Sequence, residues 1–216
     1  MDNLGRLFYL MLDESNARVL AYPYSGYSLI RTAIESAAVG LWIIDPNVRA
    51  KRVFRALQRA HQHEVDALDF IKLIGDRDVV RSAQERYNRV LQRLVQLKDT
   101  VGPLRQQDLG VPPAYTVILK SLSPTPPGAQ YEVTSPVVAW KISSAFIHGS
   151  ETVIRSLSDI RQVTDYDEGI ATFEITPSLR LTAGIVATCV ALLERLDARY
   201  LHLATRDEAG RPIAAV

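Results

Sequence analysis

The stretch Ser135-Pro-Val-Val-Ala-Trp-Lys-Ile-Ser-Ser-Ala-Phe-Ile-His-Gly-Ser150 decides how this chain is read. Ser135 is a good N-cap residue, and Pro136 follows at the first helical position, where its missing N–H costs nothing. Gly149 supplies a residue able to take the left-handed conformation that closes many helices. Between these signals Trp140, Lys141, Ser144 and His148 recur at helical spacing, so a polar line runs along a mostly apolar helix. A histidine at the tip of such a helix can serve as a general acid/base or hold an anion. Ser144 lies one turn before it on the same face, and Lys141 a turn before that. No Gly-x-Ser-x-Gly elbow surrounds Ser144, which argues against a serine hydrolase.

Working outward, the helix expected from Ser25 to about Ile44 is the natural partner. It is nearly apolar all round (Leu29, Ile30, Ala33, Ile34, Ala37, Ala38, Leu41, Trp42), the pattern of a helix buried at the centre of a bundle. Its two charges, Arg31 and Glu35, stand one turn apart and share a face. A charge on such a helix is costly to bury unless it is paired and hydrogen-bonded. Two readings follow. Arg31 and Glu35 belong to a polar site facing His148, or they form an ion pair that fixes how the helix docks. In the second reading His148 caps its own helix or bonds Glu35.

The remaining elements follow from periodicity and breakers. Residues 3–22 suit a helix with a break near Ser15-Asn16. A long helix is expected over 47–74, basic in its first half (Arg49, Lys51, Arg52, Arg55, Arg59) and ended by Gly75. Another covers 78–101, with Val80, Ala83, Tyr87, Val90, Leu91 and Leu94 facing inward. The span 104–130 is irregular and proline-rich, with a short helical turn over Tyr115 to Leu122. Residues 151–157 are ambiguous. Arg161-Gln-Val-Thr and Ile170-Ala-Thr-Phe-Glu-Ile read as a small β-hairpin, and a last helix runs from Pro177 or Ser178 to about Leu203, before a frayed tail from Thr205. The expected fold is all-α: one domain over 1–216, a helical bundle of five to six main helices with a small β-hairpin near 161–175.

Composition excludes several function classes. The chain has 216 residues, of which 47% are hydrophobic, enough for one well-buried core. Its 25 basic and 24 acidic residues nearly cancel, so bulk charge argues for neither nucleic-acid nor membrane-surface affinity. The single cysteine, Cys189, excludes an intrachain disulfide and fits a reducing compartment. No secretory signal is visible, and the longest apolar stretch, Leu179 to Leu193, is short for a bilayer. A cytoplasmic protein without a membrane span is expected. His61-Gln-His63-Glu64 invites a metal reading, but residues two apart on a helix point to different faces. No Glu-x-x-His occurs, and no glycine-rich phosphate loop or Cys-x-x-Cys is present, so no metal and no cofactor is expected. The arginines of residues 49–59 read as a solvated face.

Two segments carry a resemblance: Ser28-Leu-Ile-Arg-Thr-Ala-Ile-Glu…Leu-Trp-Ile-Ile-Asp-Pro and Trp140-Lys-Ile-Ser-Ser-Ala-Phe-Ile-His-Gly. They resemble an actinobacterial family of helical proteins of unknown function with a late Ser-x-x-x-His-Gly helix, and the arrangement is similar to HEPN-type helical bundles. Those bundles end a core helix in an arginine and a histidine, and many are metal-independent ribonucleases of defence or toxin systems, often dimeric. The resemblance implies His148 as the acid/base and Lys141 where the arginine would stand. That is a departure, because an ammonium does not clamp a phosphate bidentately as a guanidinium does. RNA and a second copy of the chain are the partners it implies. The competing expectation is a non-enzymatic protein-interaction module in which Arg31, Glu35 and His148 are structural.

Overall fold

Apolar residues at every third or fourth position become seven α-helices among the residues described in the computed structural model, which are 12–13, 18–19, 23–123, 135–167 and 170–206. In chain order these are α1 (Pro23–Ile44), α2 (Arg49–Ile74), α3 (Arg77–Thr100), α4 (Tyr115–Leu122), α5 (Pro136–Ile147), α6 (Glu151–Leu157) and α7 (Leu179–Thr205). A 3₁₀ turn covers Gly102–Leu104. The chain is all-α with one small antiparallel hairpin late in the sequence, as expected. The helix expected over 3–22 fails where it is described. Leu12–Asp13 (β1) pairs antiparallel with Arg18–Val19 (β2). The rest of that helix, the proline-rich loop after Ser123 and the tail beyond 206 lie outside the described residues.

The chain divides into two compact units, 1–38 with 119–195 and 39–118 with 196–216. In the first, Ile30, Ile34, Ala37 and Ala38 of α1, Val137, Ala139 and Phe146 of α5, and Ile185, Cys189 and Leu192 of α7 are buried. Tyr27 stacks on Phe146 with ring centroids 4.2 Å apart, and its hydroxyl lies 3.2 Å from Thr182 Oγ1. The ambiguous span 151–157 is helical, with Ile154 buried. The hairpin pairs Ser158–Gln162 (β3) with Phe173–Pro177 (β4), about three residues outside the expected strands. Period-2 alternation locates a strand's faces better than its ends.

In the second unit α2 and α3 form an antiparallel pair joined by Gly75 and Asp76. Gly75 ends α2 in an extended conformation, not the left-handed one, and a Cβ there would come within 2.8 Å of the Ile71 carbonyl. Asp76 starts α3 by accepting from the N–H groups of Asp78 and Val79, so the helix begins at Arg77, one residue before the expected start. Leu57, Leu94 and Leu109 form the core of this unit, with Val53, Phe54, Val90 and Leu91 packed against them.

In the basic half of α2, Arg49 and Lys51 are exposed, as a solvated face requires, but Arg52, Arg55 and Arg59 are half-buried. Arg52 Nη1 donates to the carbonyls of Pro46 (2.9 Å) and Asn47 (2.8 Å), and Arg55 Nη1 donates to that of Trp42 while its guanidinium covers the Trp42 ring at 4.9 Å. Burial pulls the Arg55 guanidinium below its ordinary pKa, with the Asp45 carboxylate opposing the shift. Arg199 of α7 completes the set, donating Nε to Ile44 O (3.0 Å) and Nη2 to Asp45 O (2.9 Å) and Pro46 O (3.1 Å). Guanidiniums thus satisfy the carbonyls that the end of α1 leaves without helical partners.

Over Gly26–Ile44, α1 is long and apolar enough to cross a membrane, a stretch the sequence reading passed over in favour of 179–193. Ile30, Ile34, Ala37, Ala38 and Leu41 are buried in protein, and that burial accounts for much of its apolar character.

Candidate functional site

The first unit brings three of the expected polar side chains, Arg31, Glu35 and His148, together with Trp140. His148 is the C-cap residue of α5, in the bridge region of backbone space (φ −86°, ψ 5°). Gly149 follows with φ +67°, a conformation that glycine adopts without a Cβ penalty. Its N–H bonds Phe146 O at 3.2 Å, and the Ser150 N–H bonds Ala145 O at 2.9 Å, the two bonds of a Schellman cap. This cap stops the helix one residue after the imidazole and leaves His148 exposed at its tip. The expected N-cap is only half made. Ser135 has extended backbone, but its buried hydroxyl makes no capping bond and has no partner among the described residues.

On α1, Arg31 Nε donates to Glu35 Oε1 at 2.9 Å, the side chains being 26% and 22% exposed. The pair is half-buried, not fully buried as its apolar helix suggested. The same carboxylate oxygen accepts the indole N–H of Trp140 at 2.7 Å, and the Arg31 guanidinium lies 5.4 Å from the Trp140 ring centroid. The Glu35 acceptor, itself held by the indole, and the Trp140 ring therefore fix Arg31 in place. Its Nη1 then reaches His148 Nε2 at 3.2 Å. An arginine has donors only, so Nε2 is the acceptor and the imidazole proton sits on Nδ1.

The expected candidates separate cleanly. Arg31, Glu35 and His148 form one chain of hydrogen bonds, with Arg31 and not Glu35 as the partner of the histidine. Lys141 is exposed two turns before His148 on the same helix and makes no hydrogen bond or ion pair among the described residues. Ser144 is half-buried, and its carbonyl accepts the His148 N–H at 3.0 Å. No hydrogen bond among the described residues holds its hydroxyl. Trp140 is the residue the sequence reading undervalued: it stood on the polar line of α5 without a role, and its indole is what holds Glu35.

Beyond Gly149 an open cleft of about 580 Å³ runs between α6 and the hairpin, walled by Ile154, Ile160, Tyr166, Phe173 and Ile175. Tyr166 and Phe173 meet edge to face, with centroids 6.4 Å apart, and both are exposed. Gly149, the residue after the exposed His148, lines this cleft at the end of α5.

The other histidine candidate is structural. His61 Nδ1 lies 3.1 Å from Gly110 O and Nε2 3.0 Å from the Tyr87 hydroxyl. A carbonyl only accepts, so Nδ1 carries the proton and Nε2 accepts from Tyr87. His63 is exposed. Among the described residues no group of three histidine, cysteine or carboxylate side chains is placed to hold a metal. No protein-family model matches the chain, and neither a curated protein nor a solved structure matches it.

Proposed function

We propose that the α1–α5 site is a metal-independent, HEPN-like RNA-cleaving centre, with His148 as the acid/base and Arg31 as the phosphate-binding cation. The observation that carries this reading is the exposed His148 imidazole held 3.2 Å from an arginine that Glu35 and Trp140 already fix. Arg31 supplies the guanidinium that Lys141, in its motif position, does not. An RNA phosphate entering between the two takes the Arg31 Nη1 donor and frees the lone pair of His148 Nε2. That nitrogen then accepts the proton of the ribose 2′-hydroxyl as the 2′-oxygen bonds to phosphorus and the bond to the 5′-oxygen breaks. The imidazolium returns its proton to the departing 5′-oxygen, leaving a 2′,3′-cyclic phosphate and a 5′-hydroxyl. Lys141 lies along the path of the adjoining backbone, and Tyr166 and Phe173 offer faces for an unpaired base to stack on. A second copy of the chain is the partner that completes such sites in HEPN-type bundles.

The experiment compares wild type, His148→Ala and Arg31→Met on single-stranded RNA with a chelator present. Cyclic-phosphate ends from wild type only, at a rate about 100-fold or more above both variants, is the expected result. Background-level cleavage by all three would instead support the interaction-module reading. A specific observation favours that alternative: Ile160, Ile170, Phe173 and Ile175 of the hairpin region are all more than 40% exposed.

A further inference from the structure

A separate cleft lies wholly within the second unit, among α2, the start of α4 and the end of α1. Its volume is about 420 Å³, and Val39, Trp42, Arg59, Asp66, Pro113 and Tyr115 line it. That size falls within the roughly 300–1,000 Å³ of small-molecule sites. Arg59 differs from the other half-buried arginines of this region. Arg52, Arg55 and Arg199 each give donors to backbone carbonyls. Arg59 instead donates one Nη2 bond, 3.1 Å long, to the neutral Tyr115 hydroxyl and lies 5.7 Å from that ring's centroid. It forms no ion pair with a carboxylate among the described residues. A half-buried cation with donors to spare, in a cleft with aromatic walls, is complemented by an anion on an apolar body.

We propose that this cleft binds a small planar arylcarboxylate, its carboxylate on Arg59 and its ring between Tyr115, Trp42 and the Pro112–Pro113 wall. The proline pair presents a stiff apolar surface that loses little freedom on binding. Asp66 sets the charge the ligand can carry. It stands seven residues beyond Arg59 on α2, about 10 Å away along the helix, and Gln62 Nε2 fixes its carboxylate at 2.6 Å. The far end of the cleft therefore repels a second negative charge. The ligand is a monoanion, and a hydroxyl or amine is the group its distal end accommodates.

Calorimetric titration of the full chain with 2-naphthoate, and in parallel with neutral 2-naphthamide, tests this. Naphthoate binds one to one, and the amide binds about tenfold or more weakly, since it loses the charge-assisted bond to Arg59. Arg59→Met lowers naphthoate affinity by a similar factor. Val111→Trp obstructs the cleft from a residue that is 61% exposed and lines it, so it weakens both ligands without touching the charge. No heat from naphthoate up to about 1 mM would overturn the proposal. So would equal affinity for acid and amide, or unchanged binding in Val111→Trp. Should Arg59→Met fail to fold by circular dichroism, those last two comparisons decide alone.

Discussion

Trp140 donates its indole N–H to Glu35 Oε1 at 2.7 Å, and that oxygen also accepts Arg31 Nε at 2.9 Å. One carboxylate oxygen thus ties α5 to α1 and aims a guanidinium at His148. Removing the acceptor strands two donors at once, whereas removing one donor leaves the ion pair intact. Glu35→Ala is expected to cost about 2–4 kcal/mol and Trp140→Phe about 1–2 kcal/mol. Urea unfolding of both variants checks the order. A Trp140→Phe loss equal to or larger than that of Glu35→Ala would show that ring packing, not the shared oxygen, holds the two helices.

If the α1–α5 site cleaves RNA as proposed, its cation positions contribute differently to RNA affinity. Arg31 is fixed and Lys141 is not, so Lys141→Ala is expected to weaken RNA binding by about three- to tenfold, chiefly at low salt. Arg31→Lys retains the charge but cannot hold Glu35 and His148 through one planar fork, so cleavage falls more than binding. Filter binding and single-turnover cleavage on the same preparations separate the two effects. Equal losses in both assays for Arg31→Lys would remove its positioning role.

Arg199 reaches three carbonyls at the end of α1 and the Asn47 side chain. Its removal takes the guanidinium from the Ile44 and Asp45 carbonyls, while that of Pro46 keeps Arg52 Nη1 at 2.9 Å. Arg199→Met keeps most of the aliphatic stem and is expected to destabilise by about 2–3 kcal/mol. Denaturant midpoints at constant slope check this, and a loss below about 0.5 kcal/mol would mean that water replaces the guanidinium freely.

Local sequence carried a good deal of this architecture. The run from Ser135 to Gly149 could be read as a capped helix because proline, glycine and the 3.6-residue period all act within a few residues. The same locality made Arg31 and Glu35 a recognisable pair, and their placement opposite His148 was one of two readings the pattern allowed. What escaped were bonds across long separations in the chain. Arg199 meets the end of α1 from 155 residues away, and Trp140 meets Glu35 from 105. No spacing rule encodes either. Arg52 and Arg55 of α2 were misread for the same reason, since periodicity gives the face of a guanidinium but not the carbonyls that wait there. The hairpin strands were found but shifted, because β3 and β4 are mostly exposed and carry little burial pattern to fix their ends.

Cys189 is 1% exposed, and burial pushes its thiol above the ordinary pKa. Both effects suppress reaction with a disulfide reagent in the native state, because the thiolate is the nucleophile and it is out of reach. Labelling by Ellman's reagent at neutral pH is expected to be slower by about a thousandfold than in denaturant, as an opening that costs about 4 kcal/mol would make it. Native labelling within a factor of about ten of the unfolded rate would mean that α7 opens readily around this residue.

Tyr27 gives the clearest pH prediction. Its ring stacks on Phe146 and its hydroxyl is bonded to Thr182, and burial raises its pKa from 10.0, with the Thr182 bond opposing the shift in part. The folded state therefore holds the phenol neutral more strongly than the unfolded chain does. The associated stability is fully present below the unfolded pKa and is lost as pH rises through the folded one. Wild type should keep a flat contribution from this group up to about pH 10 and weaken above it. Tyr27→Phe should start lower, by about 1 kcal/mol for the lost hydrogen bond, yet fall less steeply in alkali. Urea midpoints at a series of pH values from neutral to strongly alkaline test the crossing of the two curves. Parallel curves would place the alkaline sensitivity in other groups and show that the Tyr27 hydroxyl reaches solvent.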